Sequence, residues 1–314
     1  MHIVHVIARL NDGGPARVIE QLVLALAPLG FRATVLAGAT ALDEPDLSDR
    51  LRAAGVAVET LPALGRKLRL DEDVRAFRQL MRRLRALAPD VVHTHTAKAG
   101  AIGRVACRVL GLPCLHTYHG HVLDGYFRPA ANAAARLAER ICAGTAHHQA
   151  LTPTQLLDLR ERFGVGRHGR WHCLPPPVAP VTRRGAQWHA RLQPGVPVVG
   201  LLGRLAPVKD AGLFIDALVE LRRRQPVQGV ICGDGGERPA LEERARQSGV
   251  PVVFTGFVPA GEALGAMDVL AITSRNEGLP LVAVEAGSVG VPVVGSAVGG
   301  VRDLIRWGAV RGAE

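Results

Sequence analysis

Short apolar runs alternate along this chain with longer stretches in which apolar residues return every three or four positions. The runs near 2–7, 32–37, 56–61, 90–94, 113–118 and 148–152 have the length of buried strands. The stretches near 15–28, 46–54, 72–87, 98–110, 130–146 and 154–163 have the period of helices. Strand alternating with helix predicts an α/β fold built on a parallel, doubly wound sheet. The pattern breaks between Trp171 and Gly195, where Pro175, Pro176, Pro177, Pro180 and Pro194 stand, because proline cannot continue a central strand or helix. It then resumes, with apolar runs over 196–202, before Cys232, from Val252 and over 268–272. Two domains are predicted, residues 1–180 and 190–314, each of a size to bury its own core.

Candidate chemistry concentrates between Ala271 and Glu285. A strand ending near residue 272 runs into a loop bearing Glu277, Gly278 and Leu279, and Pro280 is placed to be the first residue of a helix, where its missing N–H costs nothing. Glu277 then lies at the strand's carboxyl end and Glu285 more than a turn inside the helix, roughly 8 Å further along its axis at about 1.5 Å per residue. A ligand touching both is elongated. In open α/β sheets ligands lie beyond the carboxyl ends of the strands, where a helix N-terminus offers N–H groups to a phosphate. A hydroxyl-rich, phosphate-bearing molecule such as a nucleotide sugar fits; two surface glutamates flanking an ordinary loop are the competing reading.

Other strands are followed by similar loops. Gly13-Gly14 lets backbone N–H groups approach a ligand closely, although a plain turn has the same composition. The Gly-x-Gly-x-x-Gly fingerprint of nicotinamide enzymes is absent from this loop. Arg204 and Lys209 follow the strand that opens the second domain. A guanidinium can fork onto two phosphate oxygens, and an ammonium acts as a mobile point charge. Gly233-Asp-Gly235 is a weaker signal, since glycine and aspartate dominate turns.

Composition narrows the classes. Hydrophobic residues make up 48% and charged ones 21%, which excludes general disorder, and no apolar run approaches the roughly 18 residues of a membrane span. The chain opens on a strand, without a basic leader, so a cytoplasmic protein is expected. Five scattered cysteines include no Cys-x-x-Cys pair and give neither a disulfide framework nor a zinc knuckle. A net charge of +10 suits an anionic partner. All 38 basic residues except Lys67, Lys98 and Lys209 are arginines, however, and genomic base composition explains such an excess equally well. Arg75, Arg78, Arg82, Arg83 and Arg85 form the outer face of one amphipathic helix, which leaves peripheral contact with an anionic membrane open. No nucleic-acid partner is expected.

Asp71-Glu-Asp73 precedes that helix, where the macrodipole favours acids, so capping explains the triplet better than metal binding. His93, His95, His119 and His121 follow two strands. A catalytic zinc site usually takes three close ligands with supporting partners; no metal and no other cofactor is expected.

Taken together these segments resemble a known family. Glu277-Gly-Leu-Pro-Leu-Val-Ala-Val-Glu285, with Ala286-Gly287 and Gly299-Gly300 beyond it, is similar to the Glu-x7-Glu motif of retaining glycosyltransferases of the GT-B fold, family 4, the glycosyl transferases group 1. Gly203-Arg-Leu and Lys209 resemble that family's Gly-Arg-Leu…Lys-Gly segment, with Asp210 where glycine is usual. The likeness runs from residue 1 to about residue 306. It implies two Rossmann-like doubly wound domains, the first on the acceptor side and the second binding the nucleotide sugar. It also implies metal-independent transfer of a hexose-type sugar from a UDP- or GDP-sugar to a glycan or lipid-linked acceptor, as in cell-envelope polysaccharide biosynthesis.

By the same resemblance Arg204 and Lys209 grip the donor diphosphate, Glu277 takes the sugar hydroxyls beside Gly278 and Leu279, and Glu285 the ribose. Gly233 and Gly235 lie by the nucleotide, Gly13 and Gly14 against the donor phosphates or the acceptor, and His119 faces the donor sugar. Family members continue past residue 314 with another strand, further helices and a terminal helix, so the second domain is expected to be incomplete and its sheet to lack an edge strand. Two other readings stay open: a non-catalytic or inactive sugar-nucleotide-binding remnant or subunit, and a GT-B nucleotide-sugar epimerase.

Overall fold

A computed structural model of the chain describes residues 1–40, 45–65, 69–120, 123, 129–167 and 169–313; Lys67 and His121 lie outside them. The chain divides into two compact units, Met1–Pro177 and Val178–Glu314.

The first unit carries strands β1 (His2–Ile7), β2 (Arg32–Ala37), β3 (Ala57–Thr60), β4 (Val91–His95), β5 (Cys114–Tyr118), β6 (His147–Ala150) and β7 (Arg170–Cys173). Helices α1 (Gly14–Leu26), α2 (Ser48–Ala53), α3 (Leu70–Leu87), α4 (Ala97–Leu110), α5 (Pro129–Cys142) and α6 (Pro153–Leu157) connect them. All pairings are parallel, in the order β3-β2-β1-β4-β5-β6-β7. The chain therefore winds outward from β1 in one direction, then returns to β4 and winds outward in the other. Alternate strand residues face opposite layers. Val4, Val6 and Val92 pack with Leu80, Leu84 and Cys107 of α3 and α4, and Ile7 and Val35 with Ile19, Val23 and Leu51 of α1 and α2.

Two details depart from expectation. β7 falls where the interdomain linker was expected to begin; its Arg-Trp-His-Cys sequence has no apolar alternation, and pairing with β6 recruits it through the backbone. The helix expected over 154–163 is α6 alone, capped by the Thr152 hydroxyl on the Gln155 N–H, followed by a wider turn over Asp158–Arg162. The acids Asp71, Glu72 and Asp73 occupy the first turn of α3, with Arg69 at the capping position; Asp71 pairs with Arg75 at 2.9 Å and Asp73 with Lys98 at 2.6 Å.

The second unit carries β8 (Val198–Leu202), β9 (Gln228–Cys232), β10 (Val252–Gly256), β11 (Val269–Ile272), β12 (Val293–Ser296) and β13 (Arg311–Ala313). Its helices are α7 (Ala211–Arg222), α8 (Arg238–Ser248), α9 (Ala260–Gly265), α10 (Leu281–Ser288) and α11 (Val301–Arg306). The strands are again all parallel, ordered β10-β9-β8-β11-β12-β13, so the winding reverses between β8 and β11. Phe214, Ile215 and Leu218 of α7 and Leu241 and Ala245 of α8 pack on Leu201, Ile231 and Phe254.

The expectation that this sheet lacks an edge strand is corrected. β13 pairs with β12 in the register Val294↔Arg311, Gly295↔Gly312 and Ser296↔Ala313, and buried Val310 anchors its start. Arg183 and Arg184, between the two expected domains, are hydrogen-bonded onto the second unit: Arg184 N–H to Gly261 O at 2.9 Å and Arg183 Nη2 to Met267 O at 3.1 Å. No helix among the described residues is long and apolar enough to cross a membrane.

Candidate functional site

Where the winding of a doubly wound sheet reverses, the loops after the two strands diverge to opposite faces and leave a crevice at their carboxyl ends. In the second unit those strands are β8 and β11. The loop after β8 carries Gly203, Arg204 and, in a tight turn over Pro207–Lys209, the lysine. The loop after β11 carries Thr273, Ser274, Arg275 and Glu277. Lys209 Nζ meets Glu277 Oε1 at 2.5 Å, and the Ser274 hydroxyl donates to the same oxygen at 2.6 Å.

Three further hydrogen bonds stitch the loops together. The Thr273 hydroxyl donates to Lys209 O at 3.0 Å, the Arg275 N–H to Val208 O at 2.9 Å, and Arg275 Nε to Asp210 Oδ2 at 2.7 Å. Asp210, where the family usually has glycine, holds a left-handed backbone (φ 48°, ψ 50°), a region that glycine enters without steric cost and aspartate enters more readily than most residues.

Glycines fix these loops from behind. A Cβ at Gly233 would stand 1.9 Å from Gly203 O, and one at Gly235 2.2 Å from Leu205 O. Both glycines therefore let the loop after β9 lie flat against the loop that bears Arg204, tied by Leu205 N–H to Asp234 O at 2.8 Å. Gly299, at φ +45°, does the same for Glu277: a Cβ there would stand 1.9 Å from Glu277 O, and the Gly300 N–H donates to that oxygen at 3.2 Å. The Gly299-Gly300 pair thus sets the height of the glutamate loop.

Arg204 is half-buried one residue beyond Gly203. Gly278 and Leu279 are buried between Glu277 and α10. Pro280 caps that helix, which begins one residue later than expected, at Leu281. Glu285 is its fifth residue and is buried at 7% exposure. Lys209 and Glu277 are in direct contact.

In the first unit, Gly13 caps α1 with an extended backbone, and a Cβ at Gly14 would meet nothing within 4 Å. Gly14 is exposed, and the Gly13 N–H donates to Asn11 O at 2.6 Å. His119 directly follows β5. Its Nε2 lies 2.8 Å from His95 Nδ1, and His95 Nε2 lies 3.1 Å from His5 Nδ1. His93 Nε2 lies 2.6 Å from Thr117 Oγ1, which donates to Gln149 Oε1 at 2.9 Å.

Burial lowers His5 to about 4 and His119 to about 3 from an ordinary value of 6.5. His93 and His95 lie well below that value for the same reason, helped by their neighbours' charges. His5, His93 and His95 bring ring nitrogens within 4.8 Å of one another, the one such group among the described residues. Both nitrogens of His95 and Nε2 of His93 are hydrogen-bonded within the protein, whereas His5 Nε2 has no hydrogen-bond partner among the described residues.

Sequence reasoning missed His5, Ser274 and Thr273. A histidine inside an apolar strand and a Thr-Ser pair at a strand end carry no distinguishing pattern. Only the register, His5↔His93 across β1 and β4, brings the first into the cluster.

Residues 13–177 match the family model described as Glycosyl transferase 4-like domain, and residues 196–313 that described as Glycosyl transferases group 1. A GDP-mannose-dependent alpha-mannosyltransferase of Mycobacterium tuberculosis is 33% identical over 317 residues, covering 93% of this chain and 77% of that protein. A D-inositol 3-phosphate glycosyltransferase of Nocardia farcinica is 30% identical over 253 residues, covering 72% of this chain and 56% of that protein, so the chain spans little more than half the length of that relative. Sucrose-phosphate synthase from Thermosynechococcus elongatus has a similar structure, with a TM-score of 0.79 at 20% identity over 97% of this chain and 84% of that one. Anabaena HepE in complex with UDP-glucose gives 0.77 at 21% identity over 97% and 82%.

Proposed function

Because this chain belongs to the GT-B glycosyltransferases of group 1, we propose that it transfers a hexose-type sugar from a UDP- or GDP-linked donor to a glycan or lipid-linked acceptor, with retention of anomeric configuration. The observation that carries this reading is the meeting of Lys209 and Glu277 where the second sheet reverses. One cation for phosphate and one carboxylate for hydroxyls stand side by side at the crevice. A relative named for GDP-mannose and a solved relative holding UDP-glucose support a nucleotide-sugar donor of either type.

In this reading Lys209 and Arg204 hold the diphosphate, Glu277 the sugar hydroxyls beside Gly278 and Leu279, and Glu285 the ribose, with Gly233 and Gly235 supporting the nucleotide loop. The bond from the sugar's anomeric carbon to the diphosphate breaks through an oxocarbenium-like transition state. The acceptor oxygen bonds to the same face, and its proton passes to a donor phosphate oxygen. Charge builds on the departing diphosphate, so fixed cations beside it do the work a metal ion does elsewhere. The first unit contributes Gly13, Gly14 and His119 on the acceptor side. The protein acts in the cytoplasm and touches anionic membrane through the arginine face of α3.

The test is release of nucleoside diphosphate from a panel of UDP- and GDP-sugars, with and without an acceptor extract. Acceptor-dependent release supports transfer. Sugar interconversion without acceptor supports an epimerase, and binding without turnover supports an inactive sugar-nucleotide-binding protein.

A further inference from the structure

His119, half-buried, is one end of a file of three rings. His5 and His95 are 1% and 0% exposed, and the contacts His5 Nδ1 to His95 Nε2 and His95 Nδ1 to His119 Nε2 run through them in one direction, at 3.1 and 2.8 Å. The register that builds the file is fixed by the sheet. β1 and β4 place His5 opposite His93, and β4 and β5 place His95 opposite Thr117, one residue pair before His119. The file is therefore part of the fold.

A neutral imidazole has one N–H and one bare nitrogen. Burial keeps His5 and His119 neutral near pH 7, at about 4 and about 3, and pushes His95 well below 6.5 as well. Each contact in the file needs one donor and one acceptor. If His95 carries its proton on Nδ1, it donates to His119 Nε2 and must accept at Nε2 from the Nδ1–H of His5. If it carries the proton on Nε2, both neighbours must do likewise. Only two arrangements satisfy both contacts: three rings protonated on Nδ1, or three protonated on Nε2.

We propose that His95 is the positioning residue for His119, and that the three rings share one tautomer, which fixes whether the outward nitrogen of His119 meets the substrate as a donor or as an acceptor. The proposal rests on the reading above for the part that has His119 face substrate; the coupling of the rings stands on the contacts alone. His5 Nε2, buried and without a hydrogen-bond partner among the described residues, closes the inner end of the file, so no neighbour there imposes a different proton. His93 lies outside it: Thr117 donates to Gln149 Oε1 and therefore accepts from His93 Nε2–H.

The experiment is long-range proton–nitrogen correlation NMR on the full chain with labelled histidine, which assigns the protonated nitrogen of each ring. It is read beside turnover of UDP-glucose and GDP-mannose with an acceptor extract. The same tautomer on His5, His95 and His119 is expected, and a mixed pattern in the wild-type protein overturns the proposal without any variant being needed. His95→Leu should leave His119 averaging between tautomers and lower kcat/KM by up to about tenfold, the upper end of the worth of one hydrogen bond. His95→Asn, whose side-chain amide reaches the Nδ1 position, should recover most of that loss. Equal rates for His95→Leu and wild type overturn the positioning role. His119→Ala separates the two readings: a shared tautomer with an unimpaired His119→Ala protein removes His119 from the site and keeps the coupling. Mixed tautomers with an inactive His119→Ala protein keep His119 in the site and remove the coupling.

Discussion

Lys209 Nζ and Glu277 Oε1, 68 residues apart in the chain, stand 2.5 Å from each other, with the lysine side chain 29% and the glutamate 11% exposed. Neither strand alone creates this relationship. It follows from the reversal of winding, which makes β8 and β11 neighbours, and from the hydrogen bonds that bind their loops. Lys209→Ala is expected to lower kcat/KM for the donor by about 10²–10³-fold, the usual scale for removing one stabilising group from a developing anion. Ser274 still holds the carboxylate, so stability should fall by only about 1–3 kcal/mol. Steady-state release of nucleoside diphosphate and denaturant unfolding measure the two effects. A variant of wild-type activity would remove Lys209 from the site.

Gly299 and Gly14 should respond oppositely to the same change. At Gly299 a methyl group would strike Glu277 O on a left-handed backbone, so Gly299→Ala is expected to cost about 1–3 kcal/mol and to displace Glu277, lowering activity with stability. At Gly14 nothing stands within 4 Å, so Gly14→Ala should leave stability within about 0.5 kcal/mol. Any loss of turnover there reports contact with a ligand. Thermal unfolding followed with the assay decides both.

Stability should fall on the acid side of neutrality. His5 and His119 have folded values near 4 and 3, below the ordinary 6.5, so between those limits the unfolded chain binds protons that the folded chain does not. Stability from these groups is fully present above pH 6.5 and lost as pH falls towards about 4 for His5 and about 3 for His119, at up to about 1.4 kcal/mol per pH unit for each histidine. Urea midpoints at pH 7.5, 6 and 5 measure the slope. In His5→Phe the slope should be shallower.

Turnover is expected to persist in excess chelator, because the proposed chemistry stabilises the leaving diphosphate with Arg204 and Lys209. A loss restored by adding back a divalent cation would overturn that assignment.

Arg75, Arg78, Arg82 and Arg85 are exposed along α3, Arg75 while paired with Asp71, and Arg83 is half-buried and tied to Glu59 at 2.5 Å. Converting the four exposed arginines to glutamine should weaken cosedimentation with anionic vesicles by about 1 kcal/mol per residue, and raised salt should do the same. Equal binding by both proteins would show the face to be merely solvated.

How far the residue pattern discloses this molecule depends on which force builds each part. β1, β2 and β8 are apolar runs whose burial drives them into a sheet, and the alternation with helices carries the winding. β7 and β13 are Arg-Trp-His-Cys and Arg-Gly-Ala, held by backbone pairing, which leaves no imprint on side-chain choice. Glu277, Lys209 and Arg204 are singled out in sequence by their motif, and the structure adds their surroundings. The contact between Lys209 and Glu277 was not legible there, since strand order is a property of the whole sheet. The same holds for His5, which is unremarkable in sequence and joins the histidine file only through register. Gly233 and Gly235 read as nucleotide-loop glycines, and their immediate physical demand is the nearness of Gly203 O and Leu205 O.

The stitching of the β8 and β11 loops makes the two inseparable. Their bonds join the middle of the sheet, whereas β10 and β13 are its borders and pair on one side only. A change at either border therefore leaves the contact of Lys209 with Glu277 in place, while a change in one central loop reaches the other.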